Sequence, residues 1–185
     1  MRINIIGTAG SGKSFFSKRV AQKLNIPCVE IEALAWKRNW TEAKDEELFS
    51  KLKTHLSSDD WVLDGNYSKT RHIKWKKCQM VVYLDMPFHI IFYRLLRRTL
   101  IRIFTGEELW AGNKETFWRV FFTRHSVIWW GLSNFFPKRR YYFIDSKNPK
   151  YSHIKFVRLR SKKEVEDFVT HKLYTFFNTS ETFVF

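Results

Sequence analysis

The chain carries a phosphate-binding motif close to its amino terminus. Residues 7–14 read Gly-Thr-Ala-Gly-Ser-Gly-Lys-Ser and fit the pattern G-x-x-x-x-G-K-[ST]. The apolar run Ile3–Ile6 precedes the motif, and a helical pattern over Lys13–Leu24 follows it. A strand that leads through such a loop into a helix is the context in which this motif binds a nucleoside triphosphate. The motif therefore predicts an α/β fold with a buried parallel strand before the loop.

Each part of the motif has a chemical role. Backbone N–H groups of the loop form a nest for phosphate oxygens, and glycines permit the backbone angles that this needs. The helix that follows directs its positive dipole end at the same phosphates. We expect Lys13 to reach the β- and γ-phosphates and the Ser14 hydroxyl to bind Mg²⁺. The predicted nucleotide-binding residues are Gly7, Ala9, Gly10, Ser11, Gly12, Lys13, Ser14 and Phe15.

The chain is strongly basic. Its 33 Lys and Arg residues exceed its 18 Asp and Glu residues, which gives a formal net charge of +15 at pH 7. Such a charge predicts an anionic partner. Nucleotide phosphates meet part of this expectation, and binding to nucleic acid is an alternative that the composition leaves open.

The length of the chain and its cysteines limit the number of domains and the cellular compartment that we expect. A chain of 185 residues predicts a single domain, residues 1–185, with its own core. Cys28 and Cys78 match no metal-binding or redox spacing, and the first strand begins without room for a signal peptide. The expected location is therefore the reducing cytoplasm. The most apolar stretch, residues 117–136, includes several basic side chains, which argues against a membrane-spanning helix.

Strand and helix patterns alternate along the chain. Short apolar runs predict strands at residues 3–6, 28–31, 61–63, 80–84 and 155–159. Periodic apolar positions predict helices at residues 13–24, 42–56, 90–104, 117–132 and 162–172. Strands that alternate with helices indicate a parallel sheet with crossover helices. The pattern assigns no element to the apolar tail, residues 174–185.

Three carboxylates follow predicted strands, at the edge where an α/β sheet binds its ligand. Asp64 ends the third strand, where P-loop proteins hold Mg²⁺, although an Asp before Gly is also a common turn signal. Asp85 ends the fourth strand in the same way, but Pro87 favours a structural turn there. Glu32 follows the second strand, and it either faces the phosphoryl acceptor or is a solvated acid of a turn.

Aromatic and basic residues complete the predicted site. Trp36 comes shortly after the second strand, and its ring either stacks on a base or packs in the core. The helix after the fourth strand carries four arginines on its polar side: Arg94, Arg97, Arg98 and Arg102. Arginine suits the stabilisation of a transferring phosphoryl group, so we expect at least one of them in the site, with Arg94 and Arg98 as candidates. A solvated basic face is the alternative interpretation.

Several segments resemble one known group, the DNA topology modulation (FlaR-related) proteins, which are classed with adenylate kinase-like P-loop proteins. The similarity lies in residues 2–16, 27–40 (PCVEIEALAWKRNW), 61–71 (WVLDGNYSKTR), 81–100 (VVYLDMPFHIIFYRLLRRTL), 114–130 and 138–140. It covers most of residues 1–165. The combination of the loop motif with Asp-Gly-Asn-Tyr and the two-tryptophan segment makes it more specific than the loop alone.

This resemblance implies a three-layer P-loop fold with a five-stranded parallel sheet in the order 2-3-1-4-5, flanked by helices. It also implies a mobile helical lid at about residues 101–140, ATP binding, and kinase activity on a small molecule or a nucleotide. Four loop residues carry over directly: Gly7, Gly12, Lys13 and Ser14. Asp64 matches the aspartate of the Asp-Gly-x-Pro-Arg motif of nucleoside monophosphate kinases.

The chain departs from that motif directly after Asp64. Asn66, Tyr67 and Ser68 follow, so the arginine that grips the acceptor's phosphate is missing from its place. Arg71 and Lys69 are the candidates to substitute for it, and the departure weakens the case for AMP as acceptor. In addition, Glu32 stands where the group usually has Asp, which keeps the carboxylate but moves it by one methylene.

These observations favour an ATP- and Mg²⁺-dependent phosphotransferase whose acceptor the sequence does not name. Lys13, Arg94 and Arg98 are the predicted catalytic cations, and Ser14 with Asp64 form the predicted metal site. The predicted acceptor side consists of Glu32, Trp36 and Arg71.

Two other functions are compatible with the sequence. An ATP-switched regulator that binds DNA or RNA is suggested by the net charge and by the mixed aromatic and basic residues between 117 and 142. A plain ATPase would need only the loop and the metal site. The basic run at residues 138–140 is by itself predicted to be a solvated turn.

Overall fold

Parallel strands form the frame of this protein. In the computed structural model, residues 1–122 and 127–178 are described. The strands are β1 (Arg2–Gly7), β2 (Cys28–Glu30), β3 (Trp61–Asp64), β4 (Met80–Leu84) and β5 (Lys155–Leu159). They form a five-stranded sheet in the order β2-β3-β1-β4-β5, in which every neighbouring pair is parallel. The structure therefore confirms the strand order that the resemblance implied.

Helices cover both faces of the sheet. They are α1 (Lys13–Leu24), α2 (Ile31–Ala35), α3 (Asp45–His55), α4 (Arg71–Lys74), α5 (Phe88–Thr105), α6 (Phe117–Phe122), α7 (Val127–Ser146), α8 (Lys162–Asp167) and α9 (Leu173–Asn178). A π-helical turn, Phe168–Lys172, joins α8 to α9. Among the described residues, none of these helices has the length and apolar character needed to cross a bilayer.

Local signals account for the ends of the two helices that matter most for the site. Helix α1 begins directly after Gly12 and ends at Asn25, which takes the left-handed conformation that commonly closes a helix. Helix α5 begins after Pro87 and ends at Gly106, which is also left-handed with a φ of 64°. Both helices therefore start at the carboxyl edge of the sheet.

Some element bounds differ from the sequence prediction. The second strand ends at Glu30, because Ile31 already begins the short helix α2, which is too short for a periodic signal. The helix predicted over 117–132 corresponds to α6 and the first part of α7, with residues 123–126 outside the described part. The run 138–140 lies inside α7 rather than in a turn. In the tail, residues 174–178 belong to α9, and the rest lies outside the described residues.

The sheet separates two apolar clusters. Side chains of β1 alternate between them, since successive residues of a strand point to opposite faces. One cluster contains Ile6, Leu48, Leu52, Trp61, Trp75 and Tyr83, and the other contains Ile3, Ile5, Phe16, Val20, Val82 and Phe168. Burial on both faces makes the central strands rigid, and they position the loops at their carboxyl ends.

Asp85 anchors α7 to the end of β4. Its carboxylate, 1% exposed, accepts hydrogen bonds from Nε of Arg139 on α7 at 3.0 Å and from Nε of Arg158 on β5 at 2.8 Å. The hydroxyl of Tyr83 donates to its other oxygen at 3.1 Å. Asp85 therefore has a structural role, as one alternative predicted. That role comes from its ion pairs with Arg139 and Arg158 rather than from the turn before Pro87.

Replacing Asp85 by asparagine is expected to lower the free energy of unfolding by about 2 kcal/mol, because it leaves two partly buried guanidinium groups without their carboxylate. Urea unfolding of the two proteins measures the difference. Asp59→Asn is the matched control, since this aspartate is 96% exposed and lies 3.8 Å from Arg2, a geometry that contributes little. Equal unfolding midpoints for Asp85→Asn and the unmodified protein would contradict the assigned role.

Candidate functional site

The ends of β1, β3 and β2 lie side by side and bring the predicted site residues to one edge of the sheet. Ile5 pairs with Asp64, and Asp64 pairs with Glu30 on the next strand. The phosphate-binding loop follows β1, and Glu32 follows β2 by two residues. This edge, outside the carboxyl ends of the strands, is where open α/β sheets bind ligands.

The loop between β1 and α1 has the backbone shape that the motif requires. Gly10 and Gly12 have φ values of 84° and 94°, which lie in the left-handed region. A Cβ atom at Gly10 would lie 2.7 Å from the carbonyl oxygen of Ile91, so α5 packs directly on the loop. The hydroxyls of Thr8 and Ser11 are buried without a hydrogen bond to any described residue. Phe15, in contrast, is largely exposed.

Lys13 and Asp64 face each other beside the loop. The ammonium group of Lys13 donates to the carbonyl oxygen of Thr8 at 3.3 Å, so it lies over the loop. Burial raises the pKa of Asp64, while the charge of Lys13 and the neighbouring hydroxyls of Ser14 and Ser17 act in the opposite direction. Asp64 is only 2% exposed.

The donor set at this place fits Mg²⁺. Oδ1 of Asp64 is buried and has no hydrogen bond of good geometry to any described residue, although the hydroxyls of Ser14 and Ser17 lie close enough to the carboxylate to lower its pKa. A buried carboxylate oxygen without a partner is costly unless a ligand or water meets it. Ser14 and Asp64 offer the hard oxygen ligands that Mg²⁺ prefers, and such ions usually take further oxygens from substrate phosphates. Within the described residues, no group of three or more His, Cys, Asp or Glu side chains is arranged to hold a metal ion.

Glu32, which the sequence predicts on the acceptor side, lies against the loop that follows β3. A Cβ atom at Gly65 would lie 2.9 Å from Oε2 of Glu32, so the carboxylate rests against the loop that follows β3. Burial raises the pKa of Glu32 to about 7, against the charge of Lys13, and the charge of Asp64 adds to the rise. A carboxyl group with a pKa near neutrality can exchange a proton with a substrate at working pH.

The four arginines of α5 have different environments. Nη1 of Arg94 lies 3.8 Å from the position that a Cβ atom would take at Gly12, so Arg94 borders the phosphate-binding loop. Arg102 is paired with Glu115 at 3.4 Å and with Glu107 at 3.5 Å, which assigns it to the structure. Among the described residues, neither Arg94 nor Arg98 forms an ion pair with a carboxylate.

The surroundings of Arg98 disfavour the charged form of its guanidinium group. Burial lowers its pKa, and the neighbouring charge of Arg102 lowers it further, while Glu115, Glu107 and Glu32 act in the opposite direction. Its Nε atom is buried without a hydrogen bond to any described residue. An anionic ligand would supply the charge that this position lacks.

Two basic residues on α7 differ from the solvated turn that the sequence predicted for the run 138–140. Arg139 is bonded to Asp85, as described above. Burial lowers the pKa of Lys138 to about 7, and the charge of Lys13 lowers it further, while Glu32 raises it. The charges of both Lys13 and Glu32 act on Lys138, which makes it a site candidate that sequence reasoning missed, because its spacing from the loop carries no signal.

The other acceptor-side candidates take part in contacts between loops and helices. The rings of Trp36 and Trp40 meet edge to face, with centroids 5.5 Å apart. The backbone N–H of Trp40 donates to Oδ1 of Asn113 at 2.8 Å, and Nδ2 of Asn113 donates to the carbonyl oxygen of Lys37 at 2.8 Å. These contacts join the segment after α2 to the segment after α5, next to the residues predicted for the acceptor side.

Arg71 is engaged between α4 and α7. Its guanidinium forms a two-pronged ion pair with Asp145, with N–O distances of 2.8 and 3.1 Å, and it lies over the ring of Trp75 at 5.1 Å. Lys69, the other candidate for the missing arginine, is paired with Asp45 at 2.6 Å. An acceptor that used Arg71 would have to compete with Asp145, so the acceptor role of Arg71 stays a prediction.

Comparisons with known proteins agree with this fold. A family model described as an AAA domain matches residues 3–109, more than half of the chain. No curated protein matches the chain. A gluconokinase from Sinorhizobium meliloti 1021 has a TM-score of 0.52 at 15% identity, with 97% of each chain covered.

Two shikimate kinases are also similar in structure. The enzyme from Aquifex aeolicus vf5 has a TM-score of 0.54 at 19% identity, covering 96% of this chain and 97% of its own. The enzyme from Bacteroides thetaiotaomicron has a TM-score of 0.56 at 14% identity, covering 97% of this chain and 99% of its own. At such identities the likeness describes the fold, which is that of P-loop kinases.

Proposed function

The chain belongs to the AAA domain family, and from this premise we propose that it is an ATP- and Mg²⁺-dependent phosphotransferase that acts on a hydroxyl group of a small molecule or nucleotide. The observation that carries the proposal is the carboxylate of Glu32, which is half-buried against the loop after β3, at the same carboxyl edge of the sheet as Lys13 and Asp64. A protein that only bound ATP would need the loop and the metal site but no second carboxylate. The domain, residues 1–185, acts as one unit in this proposal.

The donor half of the site follows from the loop. The backbone of residues 7–15 and the ammonium group of Lys13 bind the phosphates. Ser14 and Asp64 are the residues that would hold Mg²⁺, which would neutralise charge on the phosphate oxygens. Arg94, which borders Gly12, lies where a cation can meet the charge that develops on the transferring group. Arg98 supplies a second cation from the same helix.

The acceptor half depends on Glu32. Its carboxylate orients the acceptor hydroxyl and takes its proton as the oxygen attacks the γ-phosphorus and the bond to the ADP oxygen breaks. Trp36 borders this side, and the contacts between Trp40 and Asn113 bring the segment after α5 over it. Exclusion of water there favours transfer to the acceptor over hydrolysis. Within the family, the similarities in residues 27–40 and 61–71 support a place among the topology modulation proteins.

A screen for acceptor-dependent ADP release tests the proposal. The purified protein is incubated with Mg²⁺ and ATP and with gluconate, shikimate, nucleosides or nucleoside monophosphates, and phosphorus NMR identifies the product. We expect one class to raise ADP release and to yield a phosphorylated acceptor. ADP release that no compound changes, with inorganic phosphate as the product, would instead identify an ATPase. Binding to duplex DNA at physiological salt without any phosphorylated product would favour the ATP-switched regulator.

A further inference from the structure

The loop that follows β3, Gly65–Asn66, joins the acceptor side to the phosphate-binding loop. The side-chain amide of Asn66 meets the backbone of Gly7 at two points. The N–H of Gly7 donates to Oδ1 of Asn66 at 3.0 Å, and Nδ2 of Asn66 donates to the carbonyl oxygen of Gly7 at 2.6 Å. Gly7 is the residue at which β1 ends and the phosphate-binding loop begins. Asn66 therefore holds the start of the loop in one orientation.

A buried lysine on α4 contacts the backbone of the Gly65–Asn66 loop. Lys74 on α4 is 1% exposed, and its ammonium group donates to the carbonyl oxygen of Asn66 and lies 3.4 Å from that of Gly65. Burial lowers the pKa of Lys74 to about 7, and the charge of Arg71 lowers it further. A lysine in such a place is costly to bury, so its position against two carbonyl groups requires an explanation beyond packing.

A second buried side chain fixes the same loop from β1. Nδ2 of Asn4 donates to the carbonyl oxygens of Leu63 and Gly65 at 3.0 and 3.1 Å, and its Oδ1 accepts from Nε1 of Trp75 at 2.9 Å. Asn4 is fully buried and Trp75 is nearly so. The helix that carries Lys74 is thus tied to the loop through polar groups that are all within hydrogen-bond distance.

The loop also touches the acceptor carboxylate. A Cβ atom at Gly65 would lie 2.0 Å from Cγ2 of Ile31 and 2.9 Å from Oε2 of Glu32, so only glycine fits there. Gly65 also has a φ of 132°, which favours glycine. A single connection of two residues is therefore in contact with Glu32 at one residue and with Gly7 at the next.

We propose that Asn66 is a positioning residue that sets the phosphate-binding loop for nucleotide binding, and that Lys74 acts on the nucleotide through Asn66. The proposal rests on the proposed function only in that residues 7–14 bind ATP. Lys74 orients the backbone of Asn66, the amide of Asn66 orients Gly7, and Gly7 sets the direction of the N–H groups that follow. Neither side chain touches the reacting atoms.

Calorimetric titration with Mg²⁺ and ATP tests the role of Asn66. Asn66→Ala is expected to weaken ATP binding about tenfold, a loss that corresponds to about 1.4 kcal/mol. Asn66→Asp is expected to weaken it more, since a carboxylate would face both the carbonyl oxygen of Gly7 and the phosphates. The matched control is Gln79→Ala, because Oε1 of Gln79 accepts from the N–H of Arg2, at the opposite end of the same strand. That variant also loses an amide–backbone bond to β1, but its ATP affinity should not change.

A double-mutant cycle tests the role of Lys74. Lys74→Met alone is expected to weaken ATP binding severalfold, and in the Asn66→Ala background it should cause no further loss. Equal ATP affinity for Asn66→Ala and the unmodified protein would overturn the proposal, and so would additive losses in the cycle. If Lys74→Met does not fold, the proposal is judged by the ATP affinities of Asn66→Ala and Gln79→Ala alone. Absence of ATP binding by the unmodified protein would overturn the proposed function itself, which is a separate outcome.

Discussion

Replacing Lys13 by alanine is expected to lower ATP turnover by at least about 100-fold, the size of effect seen when one group that stabilises transition-state charge is removed. The ammonium group of Lys13 lies over the loop, bonded to the carbonyl oxygen of Thr8, and its charge acts on both Asp64 and Glu32. It is therefore placed where it can act on both the predicted donor phosphates and the predicted acceptor side. Initial rates of ADP release with saturating Mg²⁺ and ATP measure the loss.

The fold should survive this change. The hydrogen bond of Lys13 to Thr8, at 3.3 Å, is the only one recorded for its side chain among the described residues, so the free energy of unfolding should change by no more than about 0.5 kcal/mol. Lys23→Ala serves as the control, since this lysine lies on the same helix about 15 Å away, near Thr170 and Tyr174. Full turnover by the Lys13→Ala protein would show that the loop is not the catalytic site.

Replacing Glu32 by glutamine is expected to lower acceptor-dependent turnover by about 100-fold or more, because a general base is lost while the shape of the side chain is kept. The nucleotide affinity should stay close to that of the unmodified protein, since Glu32 lies on the acceptor side. The measurement is the rate of ADP release with the acceptor that the screen identifies. Glu42→Gln is the control, because Glu42 is exposed and lies 3.7 Å from Lys69.

The pH dependence provides a second test of Glu32. Its pKa of about 7 predicts that turnover rises as pH increases through 7, since the deprotonated carboxylate is the base. Lys74 and Lys138 lose protons in the same range, but loss of positive charge near the phosphates would lower turnover. The rising limb should therefore disappear in the Glu32→Gln protein. A limb that persists in this variant would assign it to another group.

The raised pKa of Glu32 also determines how the stability of the fold changes with pH. The folded protein holds a proton on Glu32 up to about pH 7, above the ordinary value of 4.5 for the unfolded chain. The stability that this proton provides is complete below pH 4.5 and is lost as pH rises through 7. At pH 8 the charged carboxylate of Glu32 opposes folding, so the melting temperature of the Glu32→Gln protein should be no lower than that of the unmodified protein.

Local signals predicted the donor side of the site and the fold. The loop, its lysine and serine, and the strand before it are contiguous in sequence, so eight residues carry the whole pattern. The position of Asp64 followed from its place at the end of a strand, and the structure puts it in register with β1. The sheet order needed the resemblance as well, because periodicity alone does not say which strands are neighbours.

Contacts between distant residues could not be predicted in the same way. Arg71 meets Asp145 and Arg139 meets Asp85 only because α7 packs back against the end of the sheet. Lys74 gave no signal either, since a lysine in a short basic segment is normally exposed, and here the four-residue helix α4 turns it inward. These residues are identified by burial and hydrogen bonding, which depend on the completed fold.

The ion pairs of Asp85 and Arg71 also restrict how α7 can move relative to the sheet. Arg139 is bonded to Asp85 at the end of β4, which is also bonded to β5, and Asp145, six residues further along α7, is paired with Arg71 on α4. These pairs tie the carboxyl-terminal part of α7 to the sheet and to α4, so we expect any hinge of the predicted lid, residues 101–140, to lie on the amino-terminal side of Arg139. Lys138 directly precedes Arg139 in this anchored segment, so we expect its position relative to the sheet to stay the same when the predicted lid closes.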